Sequence, residues 1–338
     1  MRATAESIPE LHGLDANAIP DEVLLSPRPL VLRQLVGHWP MVKAARTSAT
    51  DAIAYLQQFE RPGAPPAIAT VGPPEIGGRF FYNDDFSGFN FRQEKVPFGV
   101  ALATLRKYLP DPAPPAIYLA STTIDTWLPG FRADNDLPLR RDALASIWIG
   151  NRTRISAHQD VPDNIACAVA GRRRVTLFPP EQLRNLYIGP LELTPAGQPI
   201  SLVDFAHPDV ERFPLFEEAW EHSLGAELEP GDAVFIPSMW WHHMEGLEAF
   251  NVLVNYWWRQ TPAYMDTPMN ALMLALMTVR DLPPVQRGIW QDVFRHYIFE
   301  ADEATASHIP PAARRVLGPL DEERVRDLRA RLLHRLNR

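Results

Sequence analysis

The chain has 338 residues, with 46% hydrophobic and 22% charged side chains and a formal net charge of -8, the balance of a globular protein able to bury one large core or two smaller ones. The acidic excess argues against a general nucleic-acid or anionic-membrane surface, and a single cysteine, Cys167, excludes an intrachain disulfide framework or a cysteine-rich zinc module. No apolar run approaches bilayer length and Met1 to Glu6 lack a basic-then-apolar leader, so a cytoplasmic protein without membrane contact is expected.

Residues 1–115 read as an N-terminal α/β cap and the start of a sheet. Pro29 to Leu32 is a strand candidate, and Thr50 to Phe59 has helical patterning with Asp51 near its start. Between Arg79 and Phe91, six aromatics (Phe80, Phe81, Tyr82, Phe86, Phe89 and Phe91) are expected on an edge strand and loop. Residues 116–260 change to short strands between turns, with candidates at Ala116 to Ala120, Ala145 to Gly150, Ser156 to Asp160, Ile165 to Val169, Arg172 to Phe178, Ala233 to Ile236 and Asn251 to Trp258. Many short strands imply a sandwich or barrel. Ala170-Gly171 is expected to close a hairpin, and Pro230-Gly231-Asp232 to turn tightly into a buried strand. Residues 261–338 become helical, at Met269 to Val279, Val285 to Phe299 and Asp321 to Leu336. The apolar run Met269 to Met277 fits a packed helix or a homodimer interface.

Side chains two apart on a strand share a face, so His158 and Asp160 can reach one ion together. A third ligand must come from elsewhere, and His242 follows the strand Ala233 to Ile236 by a few residues. Two imidazoles and a carboxylate on one face of an octahedral iron(II) leave positions open for a co-substrate and dioxygen. A bare His-x-Asp is weak, and by residue type alone His243 competes with His242. In Arg172-Arg173-Arg174, alternation groups Arg173 with Val175 and Leu177, inward, and leaves its neighbours to solvent. Tyr118 reads by itself as a core strand aromatic, and Cys167 as a small buried hydrophobe.

Five segments (Ala157-His158-Gln159-Asp160, Leu177 to Gln182, Pro208 to Pro214, Trp240-Trp241-His242-His243 and Val254 to Trp257) occur in an order that resembles the JmjC-type, cupin-like 2-oxoglutarate oxygenases, most closely their asparaginyl hydroxylase branch. The likeness covers most of residues 25–260. It implies a mainly β fold with flanking helices: a double-stranded β-helix (jelly-roll, cupin/JmjC) core between an N-terminal α/β cap and C-terminal helices. It further implies Fe(II) held by His158, Asp160 and His242, with 2-oxoglutarate as co-substrate. Arg173 stands where the family has a carboxylate-binding lysine, Tyr118 matches a tyrosine on the same carboxylate, and Asn164, Asn255 and Trp257 match residues near the iron-binding end or lining the pocket. Ile155 replaces a family threonine and Ala120 a glutamine. Tyr82, Asp84 and Trp240 fall on the substrate side, whereas Pro199-Ile200 replaces a peptide-contacting Arg-Gln pair. The implied activity is hydroxylation of an amino-acid side chain in a protein or peptide. N-demethylation, oxidation of a small molecule or modified nucleoside, and a non-catalytic cupin-like module remain alternatives. The resemblance also implies a homodimer through the C-terminal helices.

Overall fold

Short β-branched and aromatic runs between prolines become the strands β1 (Glu6–Ser7), β2 (Glu10–His12), β3 (Leu30–Arg33), β4 (Ala67–Gly72), β5 (Arg92–Val96), β6 (Ala116–Thr123), β7 (Leu144–Gly150), β8 (Arg154–His158), β9 (Asp163–Ala170), β10 (Arg173–Phe178), β11 (Leu224–Leu228), β12 (Ala233–Ile236), β13 (Trp241–Gly246) and β14 (Asn251–Trp258). This computed structural model describes residues 3–139 and 142–337, so the first two residues of the stretch read for a leader lie outside it. Backbone contacts divide the chain into two units, one ending at Gln260 and one beginning at Thr261.

In the first unit the strands form two sheets, ordered β1-β11-β10-β13-β8 and β2-β3-β12-β9-β14-β7-β6-β4-β5. This corrects the expected double-stranded β-helix or jelly-roll core. Both sheets are open, each ending in two unjoined edge strands, and neither closes into a barrel. What holds them is a shared apolar layer: Ala166, Val234, Ile236 and Leu253 of the larger sheet cluster with Val175, Leu177, Leu224 and Met244 of the smaller. Alternation along β14 sends Val252, Val254 and Tyr256 to the opposite face, where they cluster with helix residues Met41, Val42, Ile53, Leu56, Leu102 and Leu105. Each fully buried Leu or Ile contributes roughly 1.5–3 kcal/mol relative to exposure. The helix Ala49–Gln57 covering that face starts where expected because Ser48 caps it, accepting the Asp51 N–H at 3.0 Å.

Three further expectations change. Ala170-Gly171 closes no hairpin: β9 pairs with β12 and β14, and β10 with β11 and β13, so the turn carries the chain from one sheet to the other. Gly171 is required there, because its φ is +68° and a Cβ would meet the Phe250 carbonyl oxygen at 2.4 Å. The aromatic stretch Arg79 to Phe91 is a loop with two isolated bridges, Arg79–Arg154 and Tyr82–Phe89, and the edge strand is β5, which follows it. Finally, β8 stops at His158, leaving Asp160 on the loop beyond.

The second unit contains helices Pro268–Thr278, Pro284–Phe294 and Glu322–Leu336, the first capped by Thr267 and the last by Asp321. No described helix is long and apolar enough to cross a membrane.

Candidate metal centre

Strand register brings the candidate ligands together. Across β10, β13 and β8, Leu177 is paired with His242 and His242 with His158. Paired residues share a face, so both imidazoles point into the layer that holds Val175, Leu177 and Met244. His243, one residue on, takes the opposite face, where its ring lies 4.8 Å from that of Phe205 and its Nε2 3.6 Å from Glu245 Oε1. The register thus separates the two histidines that residue type could not.

The ligand atoms offered by His158, Asp160 and His242 all lie within 4.8 Å of one another, with His242 Nε2 3.6 Å from Asp160 Oδ2. Each imidazole sits against a carbonyl oxygen two residues back: His158 Nδ1 is 2.9 Å from Ser156 O, and His242 Nδ1 3.0 Å from Trp240 O. A carbonyl can only accept, so Nδ1 carries the proton and Nε2 presents its lone pair to the centre. Residue type carries no trace of Ser156 and Trp240 in this role, because they act through the main chain. Their signal lay in the strand character of the segments carrying the histidines.

Electrostatics favour the states a divalent cation binds. Desolvation first, and the neighbouring His242 second, push His158 down to about 4. Burial alone would raise the Asp160 carboxyl, but the imidazoles beside it, His242 ahead of His158, outweigh burial and hold it at about 2. Near neutral pH the site therefore offers a neutral imidazole and an ionised carboxylate, the donor set that fits Fe(II).

The co-substrate candidates line the same intersheet layer. Arg173 opens β10, four residues from Leu177 on the same face, which is about 13 Å along the strand at roughly 3.3 Å per residue. It is only 2% exposed, its Nε finds no hydrogen-bond partner, and no acidic side chain among the described residues forms an ion pair with it. Tyr118 is buried by stacking on Trp148 and Phe80, with ring centroids 5.7 and 6.2 Å away. Burial raises its phenol, and the charge of Arg173 opposes the rise, which puts the two within electrostatic reach. Arg172 and Arg174 instead pair with Glu248 and Glu227. On the facing sheet Asn255 Nδ2 donates to Asn164 Oδ1 at 2.9 Å, leaving Asn255 Oδ1 unpaired. The Trp257 ring meets Trp148 edge-on at 5.6 Å, and its Nε1 is likewise unpaired. Ile155, opposite Met244, packs on the apolar side of this layer, and Ala120 lies beside Phe80 and Tyr118.

The substrate-side candidates are not gathered in the same way. Tyr82 is buried, stacked on Phe86 at 4.9 Å, and its hydroxyl donates to Leu193 O at 2.7 Å. Asp84 is exposed. Trp240 packs into the intersheet cluster and donates through Nε1 to Pro27 O at 3.1 Å.

Two histidines and one carboxylate, converging between two sheets with a buried arginine on the same sheet face as His242, define the type of site found in Fe(II)- and 2-oxoglutarate-dependent oxygenases. Residues 16–264 match the cupin-like domain, and the chain belongs to that family. It is 33% identical over 182 residues to lysine-specific demethylase JMJ31 of Arabidopsis thaliana, covering 49% of this chain and 33% of the relative. It is 38% identical over 106 residues to tRNA wybutosine-synthesizing protein 5 of Gallus gallus, with 31% and 30% covered. Lysine-specific demethylase 8 of Xenopus tropicalis is 24% identical over 262 residues, with 75% and 53% covered. The matches thus span between 30% and 53% of the length of these curated relatives. Nothing among them singles out the asparaginyl hydroxylases, which the motifs had favoured.

Proposed function

We propose that the chain is an Fe(II)- and 2-oxoglutarate-dependent oxygenase that hydroxylates an amino-acid side chain in a protein or peptide. The observation that carries the oxygenase reading is Arg173, a buried cation without an acidic partner on the same sheet face as His242. Such a group is costly unless an anion completes it, and a dicarboxylate reaching toward the triad would do so.

His158, Asp160 and His242 would hold the metal through two Nε2 atoms and a carboxylate oxygen. Fe(II) with 2-oxoglutarate would supply, with dioxygen as the oxidant, oxidative decarboxylation of the co-substrate to succinate and carbon dioxide coupled to hydroxylation of a C–H bond, one oxygen atom going to succinate and the other to the new hydroxyl. Arg173 and Tyr118 would fix the distal carboxylate, and the bidentate fork of arginine suits that contact although its shape differs from lysine. Asn255 and Asn164 offer amide groups from the facing strands, while Trp257 closes the side and excludes water. Tyr82, Asp84 and Trp240 would border the substrate. Among relatives named for lysine demethylation and for tRNA modification, the net charge of -8 favours a peptide over a polyanion. The apolar helices of the second unit would form a homodimer.

Anaerobic titration with Fe(II) and 2-oxoglutarate should produce a weak visible charge-transfer band, and admitting air should release succinate. His158→Ala and Asp160→Ala should each abolish that uncoupled turnover. A wild-type protein that shows neither band nor succinate is instead a non-catalytic cupin-like module.

A further inference from the structure

The loop that presents Asp160 and the turn that precedes His242 are stitched together. Four hydrogen bonds join residues 159–163 to Ser238 and Met239: Gln159 Nε2 donates to Met239 O (2.6 Å), Met239 N–H to Asp160 O (2.9 Å), Ser238 N–H to Asp163 Oδ1 (2.9 Å) and Ser238 Oγ to Val161 O (2.6 Å). The second oxygen of Asp163 accepts from Gln260 Nε2 at 2.7 Å, which ties it to the segment two residues beyond the end of β14. Asp163 is buried, and among the described residues no cationic side chain forms an ion pair with it. Its carboxylate is satisfied by a main-chain N–H and a neutral amide alone. Met239 meanwhile holds a left-handed φ of +67°, a conformation that a non-glycine residue keeps only when its surroundings impose it. Asp160 itself lies beyond the end of β8, so no ladder fixes its main chain.

We infer that Asp163 is a positioning residue of the metal centre. Bridging Gln260 and Ser238, it clamps the Asp160 loop onto the turn before His242 and so sets the carboxylate against the imidazole. The inference rests on the metal site read above. It makes Asp163 and Gln260 act on metal affinity without touching the metal, as partners one step removed from ligands do.

Calorimetric titration of the full chain with Co(II), without co-substrate or oxygen, together with the visible spectrum of the bound ion, tests this. Asp163→Ala should weaken Co(II) binding by about 10- to 100-fold and alter the band shape. Asp163→Asn should stay near wild type, because rotating the Gln260 amide restores both bonds. The Gln260 side chain is exposed, so Gln260→Ala leaves the fold intact and should still lower the affinity, by less than Asp163→Ala. Wild-type affinity and spectrum in Gln260→Ala and in any folded Asp163→Ala would overturn the inference while leaving the metal site standing. A wild-type chain that binds no Co(II) would remove the site itself, and the inference with it.

Discussion

A guanidinium buried to 2% exposure with no acidic partner sets stability against function at one position. Burial makes the charged form of Arg173 less favourable, and removing the group should relieve that cost. Arg173→Met keeps the aliphatic stem beside Tyr118 and is expected to raise the unfolding free energy of the ligand-free protein, by about 1–4 kcal/mol. The same substitution should weaken 2-oxoglutarate binding by about 30-fold or more, the loss expected when a buried charge pair forfeits one member. Denaturant unfolding and isothermal titration on the two proteins check both signs, and an Arg173→Met variant that loses stability without losing affinity would make the residue structural. The inward direction of Arg173 was legible in the alternation Arg173, Val175, Leu177. The choice of His242 over His243 was legible only through the family resemblance, because by residue type and alternation adjacent residues on a strand differ only in the face they take. That face is set by register against Leu177 and His158, a non-local fact absent from the local sequence.

At the scale of elements, the strands that could be read were those with β-branched or apolar runs. β12 and β14 fall on the expected residues, whereas β13, Trp-His-His-Met-Glu-Gly, has no such run and is a strand because β10 and β8 hold it on both sides. The edge beside His158 depends on a segment without regular structure: Ser201 N–H donates to Ala157 O at 2.8 Å and Ile200 bridges His158. The same segment is pinned by Asp204, which accepts from Arg154 at 2.7 Å and lies 3.8 Å from Arg79. Burial pushes the Asp204 carboxyl up, but Arg79 and Arg154 outweigh it and leave it below the ordinary value of 3.8. A depressed carboxyl contributes stability that is fully present above the unfolded value and is lost as pH falls through the folded one. Asp204→Asn should therefore be less stable than the wild type at neutral pH, and the two stability curves should converge as pH drops below 3.8. Urea unfolding across an acid series measures this, and curves that stay parallel would show that the carboxylate charge contributes nothing.

At the scale of the whole molecule, the second unit exposes several large apolar side chains. Met277, Val285, Ile289, Ile298 and Phe299 are between 59% and 80% exposed, and a groove of about 550 Å³ between helices Pro268–Thr278 and Pro284–Phe294 has an apolar floor that includes Leu272, Leu276 and Phe294 and a charged rim that includes Arg280, Arg287 and Glu300. Exposed apolar side chains of this kind favour a covering partner, and in the proposed homodimer a second copy of the chain would supply it. The sequence pattern of Met269 to Met277 left a packed helix and a dimer face equally open, since the same apolar spacing serves both. Light scattering on the purified chain should give twice the chain mass throughout the micromolar range. Ile289→Glu combined with Phe299→Glu places carboxylates in the apolar contact and should yield a monomer whose affinity for Co(II) is unchanged, because the triad and its supports all lie in the first unit. A wild-type monomer at the highest of those concentrations would assign the apolar face to some other partner, and a mass unaffected by the double substitution would place the dimer contact elsewhere.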